Sequence, residues 1–372
     1  MISKTEQNKL HIQEISNCRG IKKEIFFFIQ MEKNNNMIKV CVTGASSYIG
    51  SWLVKKLLYK GYVVHATLRN KGDVMKVFPL KSLLGADTRL KLFEADLYNP
   101  ESFEESIQGC EYVFHVATPM PAPNEISNWD PSKAAVTAVK SIAQSCIKSG
   151  TVKRLIYTAS VMTTAVVKED GTGFKDVFDE DCWTPLDCTF PHYDQFTKGY
   201  VHSKTLSEKE VLKINETKEG GLEVVALNCA LVGGDTVLSY LSDSQIACLS
   251  QLTAITPNLY DHLRLLQEML GSVPLIHIDD VCEAHIFCME KPSMTGRFLC
   301  TSTCPTHLQM GKYMQENYPE FDIEEKFIEG PETGIKCGST KLIDSGFEYK
   351  YDLKKLLDDT VACARRLAFS TK

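Results

Sequence analysis

The sequence predicts an α/β fold: a doubly wound parallel sheet with a smaller carboxyl-terminal substrate-binding lobe. Three observations lead there. Apolar strand-like runs alternate with helical stretches from Ile38 onward, the pattern of a parallel sheet covered on both faces. The first run enters its helix through a glycine junction, Thr43-Gly44-Ala45-Ser46-Ser47-Tyr48-Ile49-Gly50. A Tyr200/Lys204 pair follows a serine, Ser160, that closes a later strand-like run.

The elements follow in order. Residues 38–42 are apolar but for one lysine, and 38–43 read as a buried strand. Ile49, Leu53, Leu57 and Leu58 recur at helical spacing within 48–60. Further strands are expected over 62–68, 90–95, 112–117, 154–160 and 222–227, with helices over about 131–149 and 198–216. Beyond Gly234 the strict alternation is lost. Short strands remain at 274–278 and 296–300, with helices over 279–290 and 353–368. The expected division is a loosely packed extension at 1–36, a dinucleotide-binding domain at 37–233 and a substrate lobe at 234–372, with 274–290 returning to the first domain.

Composition bounds the function. The chain has 372 residues, 44% hydrophobic and 24% charged, so a globular core is expected. A net charge of −6 argues against non-specific nucleic-acid binding. No apolar run approaches the ~20 residues of a membrane span. The run Ile25-Phe26-Phe27-Phe28-Ile29 is too short for a secretory core. The 14 cysteines form no CxxC pair, and the 9 histidines show no metal spacing with them. They read as reduced thiols in the cytosol, with no metal site.

The glycine junction aims free N–H groups and a positive helix end at whatever lies before it, and a dinucleotide pyrophosphate suits that place. Gly44 and Gly50 are present, while Ser47 stands where a middle glycine is expected. The second strand ends at Arg69, where an acid would bind the ribose of NAD. A cation there suits the extra phosphate of NADP, and Lys76 can assist. Either could equally be a solvated surface cation. Asp96, at the end of the third strand, can accept from an adenine amino group or cap the following helix.

Tyr200 and Lys204 lie one helical turn apart, on one face. A phenol titrates near ~10 and is a poor acid–base group until a neighbouring ammonium lowers that value. A serine hydroxyl at the strand end can stabilise charge on a substrate oxygen. Together the three groups can protonate an alkoxide as hydride arrives, or remove the proton of an alcohol as hydride leaves.

The junction, the run Phe114-His115-Val116-Ala117-Thr118-Pro119-Met120, the segment Tyr200 to Leu206 and the segment His277 to Ile286 resemble the extended short-chain dehydrogenase/reductases. Within them the chain is similar to the plant branch of dihydroflavonol 4-reductase, anthocyanidin reductase, vestitone reductase and cinnamoyl-CoA reductase, over roughly 38–368. The resemblance implies an NADP-binding Rossmann domain and a catalytic set of Ser160, Tyr200 and Lys204. It implies cofactor contacts from Gly44, Ser46, Ser47, Tyr48, Ile49, Gly50, Arg69, Lys76, Asp96, Leu97, Ala117 and Thr118. Tyr200, Lys204, Cys229, Leu231 and Val232 complete that set. Some positions depart from the family. Ala159 replaces a serine, Cys229 replaces a proline of the nicotinamide loop, and Ala165 stands where dihydroflavonol reductases carry an asparagine. The asparagine-proline-tryptophan signature of cinnamoyl-CoA reductases is absent. The carboxyl half is most similar to anthocyanidin reductases.

The expected function is an NADPH-dependent reductase of a plant specialised metabolite, flavonoid-like or alkaloid-like, acting on a carbonyl or conjugated double bond. Its pocket would be lined by the loop 190–196 and the helices after Gly234. The alternatives are an NADP⁺-dependent alcohol or hemiacetal dehydrogenase, and a cofactor-sensing regulatory protein without chemistry. Partners are a small-molecule substrate and no nucleic acid; a monomer or weak homodimer is expected.

Overall fold

The structure, a computed structural model, describes residues 37–120, 131–168, 174–252, 257–321 and 323–367. The expectation for the extension 1–36 lies outside them. Seven parallel strands form the central sheet in the order β10-β7-β5-β4-β1-β2-β3. These are β1 (Lys39–Thr43), β2 (Val63–Leu68), β3 (Leu90–Glu94), β4 (Tyr112–His115), β5 (Arg154–Ser160), β7 (Glu223–Cys229) and β10 (Gly296–Cys300). The chain leaves β1 in one direction for β2 and β3, then returns to build β4, β5, β7 and β10 on its other side. The order therefore reverses between β1 and β4, and a crevice opens at their carboxyl ends.

Helices cover both faces: α1 (Tyr48–Tyr59), α2 (Val74–Lys81), α3 (Ala86–Arg89), α4 (Glu104–Ile107), α5 (Ser132–Ser149) and α6 (Gln195–Thr217). Each of the main ones has a chemical start or stop. The Asp194 carboxylate accepts from the Thr197 N–H at 2.7 Å and opens α6 three residues before the expected 198. Gly150, at φ +65°, ends α5 in the left-handed conformation that glycine adopts without a Cβ penalty. On α1, Leu53, Val54, Leu57 and Leu58 are fully buried. Each such burial contributes roughly 1.5–3 kcal/mol before the entropy of ordering.

The second half interleaves with the first. It holds the short strand β8 (Leu231–Gly233), helices α7 (Asp243–Leu249) and α8 (Pro257–Leu270), strand β9 (Leu275–His277) and helix α9 (Ile278–Glu290). Beyond β10 come α10 (His307–Asn317), α11 (Lys341–Asp344) and α12 (Leu353–Arg366). A two-residue strand β6 (Val177–Phe178) pairs with β11 (Lys336–Cys337). The segment expected as a strand over 274–278 pairs with β8, outside the central sheet. β10, beyond 290, pairs along β7 in the central sheet. One apolar core runs without a break from Val40 of β1 to Val361 of α12.

Two buried polar groups fasten α9 to the sheet. Arg154 at the start of β5 donates to the carbonyls of Met289 and Lys291 at 3.2 and 2.9 Å, capping the end of α9. His285 donates through Nδ1 to the Val281 carbonyl at 2.7 Å, so its Nε2 accepts from the Thr158 hydroxyl at 2.8 Å. Burial pushes the His285 imidazole down to about 4 and His115 down to about 3. A histidine held below its unfolded value costs nothing at high pH. It destabilises the fold as pH falls from the unfolded value toward the folded one. Each histidine is expected to cost about 2 kcal/mol on going from about pH 7 to about pH 5. Urea midpoints at the two pH values check this: His285→Gln should shrink the acid-induced drop, and an unchanged drop would refute it.

Candidate active site

At the crevice the glycine junction is built as closely as backbone allows. Gly44 has φ +67°, and a Cβ there would stand 2.9 Å from the Ala117 Cα. A Cβ on Gly50 would stand 2.3 Å from the Gly44 carbonyl oxygen. The middle position needs no glycine, because the Ser47 hydroxyl donates to the Gly44 carbonyl at 2.7 Å and accepts from the Gly50 N–H at 3.2 Å. Ser47 is thus the N-cap of α1. Thr43, absent from the expected site, ties the two edges of the crevice. Its hydroxyl accepts from the N–H groups of Val116 and Ala117 at 3.1 and 3.2 Å and donates to His115 Nδ1 at 2.8 Å. Only its place at the end of β1 could have pointed to it.

A cavity of about 800 Å³ runs from this junction along the carboxyl edge of the sheet. Gly44, Ser46, Ser47, Tyr48 and Ile49 line one end of it, together with Arg69, Lys76, Asp96 and Leu97. Ala117, Thr118, Cys229, Leu231 and Val232 line its middle, with Ser160, Tyr200 and Lys204 on the inner wall. Gly50 does not line it; the glycine serves the close approach behind the turn. Arg69 is exposed and pairs with no carboxylate among the described residues. Lys76 stands 4.0 Å from the Asp73 carboxylate. Asp96 accepts from the Tyr98 N–H at 3.0 Å, forming a local turn. The short helical turn at 100–103 has no side-chain cap, so Asp96 does not cap it.

The substrate end differs in part from expectation. Phe196 lines the cavity, as do Ser244 and Ala247 of α7 and Leu259, His262 and Leu266 of α8. Phe190 and Tyr193 instead pack edge to face, with ring centres 5.7 Å apart, against the core. Ala165 is fully buried and its N–H donates to the Thr184 hydroxyl at 2.9 Å, away from the cavity wall. Met162, Tyr240 and Asp243 also line the cavity, and no spacing in the sequence marks them. Residues 121–130, which follow the run ending at Met120, lie outside the described residues.

The inner wall brings the three expected groups together. Ser160 closes β5 and lines the cavity with Tyr200, and its hydroxyl accepts from the Met162 N–H at 3.2 Å. Lys204, 4% exposed, donates from Nζ to the Thr158 carbonyl at 2.8 Å. One expectation is corrected here. The phenol of Tyr200 is held above its ordinary value, because burial outweighs the lowering influence of the Ser160 hydroxyl. The ammonium that was to lower it is engaged by the Thr158 carbonyl and is itself pushed down to about 8 by burial. In this cleft Tyr200 keeps its proton at neutral pH.

The comparisons bear on this geometry. The family model described as "NAD dependent epimerase/dehydratase family" matches residues 40–298. The chain belongs to that family. A dihydroflavonol 4-reductase of Gerbera hybrida is 38% identical over 338 residues, covering 89% of this chain and 88% of that one. A protein described as a putative anthocyanidin reductase, from Ginkgo biloba, is 38% identical over 326 residues, covering 87% and 93%. Among solved structures, vestitone reductase from alfalfa superposes with a TM-score of 0.72 at 33% identity, covering 89% of this chain and 99% of that chain. The yeast methylglyoxal/isovaleraldehyde reductase Gre2, solved with NADPH, shares the fold with a TM-score of 0.69 at 22% identity, covering 88% and 99%. The chain is an NAD(P)-dependent oxidoreductase of this family, with the Rossmann fold. Among the described residues no helix is long and apolar enough to cross a membrane, and no cluster could hold a metal ion. The 13 described cysteines are free thiols.

A buried lysine held at about 8 penalises the fold while it is charged. The penalty is complete below that value and fades as pH rises toward the unfolded one. Lys204→Met is therefore expected to stabilise the cofactor-free protein at neutral pH by about 1–2 kcal/mol. The gain should shrink as pH rises through about 8. Melting temperatures of both proteins across that range decide it; a Met variant no more stable at neutral pH would refute it.

Proposed function

We propose that the protein reduces a carbonyl or conjugated double bond of a flavonoid-like or alkaloid-like plant metabolite, with NADPH as hydride donor and Tyr200 as proton donor. The observation that carries the reading is that Ser160, Tyr200 and Lys204 line the same cavity as the glycine junction and Arg69. The residues fit an NADP-type cofactor. The turn has no room for a side chain where a pyrophosphate would approach, and Arg69 offers a cation at the end of β2 for a 2′-phosphate. Lys76 stands nearby to assist.

When bound, NADPH supplies the hydride. The Ser160 hydroxyl donates to the substrate oxygen and stabilises the charge that grows there. Tyr200 then releases its proton to that oxygen. Lys204, on the same cavity wall, would hold the cofactor ribose. The apolar wall of Met162, Phe196, Leu259 and Leu266 suits a planar aromatic substrate. The relatives named above, flavonoid reductases, support that class.

Tyr200→Phe is expected to lower kcat by about 10²–10⁴-fold while NADPH affinity, read by cofactor fluorescence, changes little. Sustained turnover in that variant would reject the assigned role. Arg69→Gln is expected to raise the KM for NADPH by roughly 10–100-fold and leave that for NADH unchanged. Equal effects on both cofactors would remove Arg69 from the phosphate site.

A further inference from the structure

One buried charge on the catalytic helix has no part in the scheme above. Glu208 lies one turn beyond Lys204 and two beyond Tyr200, on the same face of α6, and is 0% exposed. Its Oε1 accepts from Arg297 Nε of β10 at 2.5 Å. Its Oε2 is 2.7 Å from the Thr163 hydroxyl and 2.9 Å from the Asn228 amide nitrogen of β7. Both of those groups also face the Ser160 carbonyl, at 2.8 Å from Thr163 and 3.3 Å from Asn228. Arg297 is 6% exposed, lies 3.7 Å from the Trp183 ring centre and donates to the Glu180 carbonyl at 2.7 Å. A single carboxylate thus joins the helix of Tyr200 and Lys204 to the strand end that presents Ser160.

We propose that Glu208 is a positioning residue of the reaction centre: it fixes Ser160 against Tyr200 and places a negative charge on the buried side of Lys204. The inference rests on the reading given under Proposed function. A buried carboxylate hub costs more desolvation than an apolar pair of the same shape, so fold stability alone gives no reason to keep it. The groups facing Lys204 from the elements around it are His115 of β4, the Tyr157 ring of β5 at 5.1 Å, Cys229 of β7, and Tyr200 and Glu208 of α6. His115 is neutral. Burial lowers the proton affinity of Lys204, and Cys229 and then the Glu208 carboxylate act to raise it. Arg297, on the far side, offsets part of that charge.

The test is the titration of Lys204 itself, read by competitive acetylation of the full-length protein across pH, with the labelled peptide quantified by mass spectrometry. This readout needs neither cofactor nor substrate. Glu208→Gln keeps the shape and is expected to move the Lys204 midpoint down by about one pH unit. Arg297→Gln leaves the carboxylate unopposed and should move it up. Opposite shifts are a result that a merely structural role does not produce. In the folded Glu208→Gln protein kcat with a carbonyl probe should fall at least tenfold, with the KM for NADPH at pH 6.5 within about threefold. An unmoved midpoint in Glu208→Gln, or shifts of the same sign in both variants, overturns the proposal. Should Glu208→Gln fail to fold, the upward shift in Arg297→Gln decides alone. Absence of NADPH turnover in the wild-type protein would instead reject the functional reading, and the titration would still judge the role of Glu208.

Discussion

The lack of space between Gly44, Gly50 and Ala117 is the constraint on which the site depends. Strands β1 and β4 are neighbours whose connections leave in opposite directions, so the sheet parts at their ends. The α1 helix reaches that gap only because two residues carry no Cβ where carbonyl and Cα of neighbouring segments lie within 3 Å. Thr43 then fixes the width of the gap by holding the Val116 and Ala117 N–H groups against the end of β1. Everything further along the cavity takes its position from this edge.

The other end of the site is governed by charge rather than space. One face of α6 turns Tyr200, Lys204 and Glu208 inward, with Tyr200 packed at the edge of the core and the other two buried. Lys204 is desolvated and held by a carbonyl, and Glu208 is fully buried among donors. Such groups cost stability, and a fold keeps them where chemistry requires a poised proton or a fixed field. The long apolar core between β1 and α12 supplies the stability that offsets them.

Much of the fold was legible because its signals are local. The buried strands are short apolar runs, and the glycine junction and the Tyr200/Lys204 spacing mark one turn and one helix face. What the sequence hid is non-local. Helix α2 carries Pro79 inside it and exposes Val74, Met75 and Phe78, so neither breaker nor periodicity signalled a helix. The pairing of β9 with β8, and of β10 with β7, joins segments far apart in the chain that periodicity cannot link. The rise of the Tyr200 phenol was hidden for the same reason: spacing places Lys204 nearby, but only the fold shows its ammonium drawn to Thr158. The hub of Glu208, Arg297, Thr163 and Asn228 gathers four residues from four stretches of chain, and no motif announces it.

Cys229 has a last consequence. It stands in register with Ser160 on one side and Cys300 on the other, as the final rung of β7. A proline, the residue expected in the family at this place, has no N–H to give to a ladder and would end the strand a residue earlier. Here the sheet itself reaches the floor of the cavity. The edge of the cavity here is shaped by interstrand pairing in place of a pyrrolidine, with Cys229 one rung from Ser160 on β5 and from Cys300 on β10.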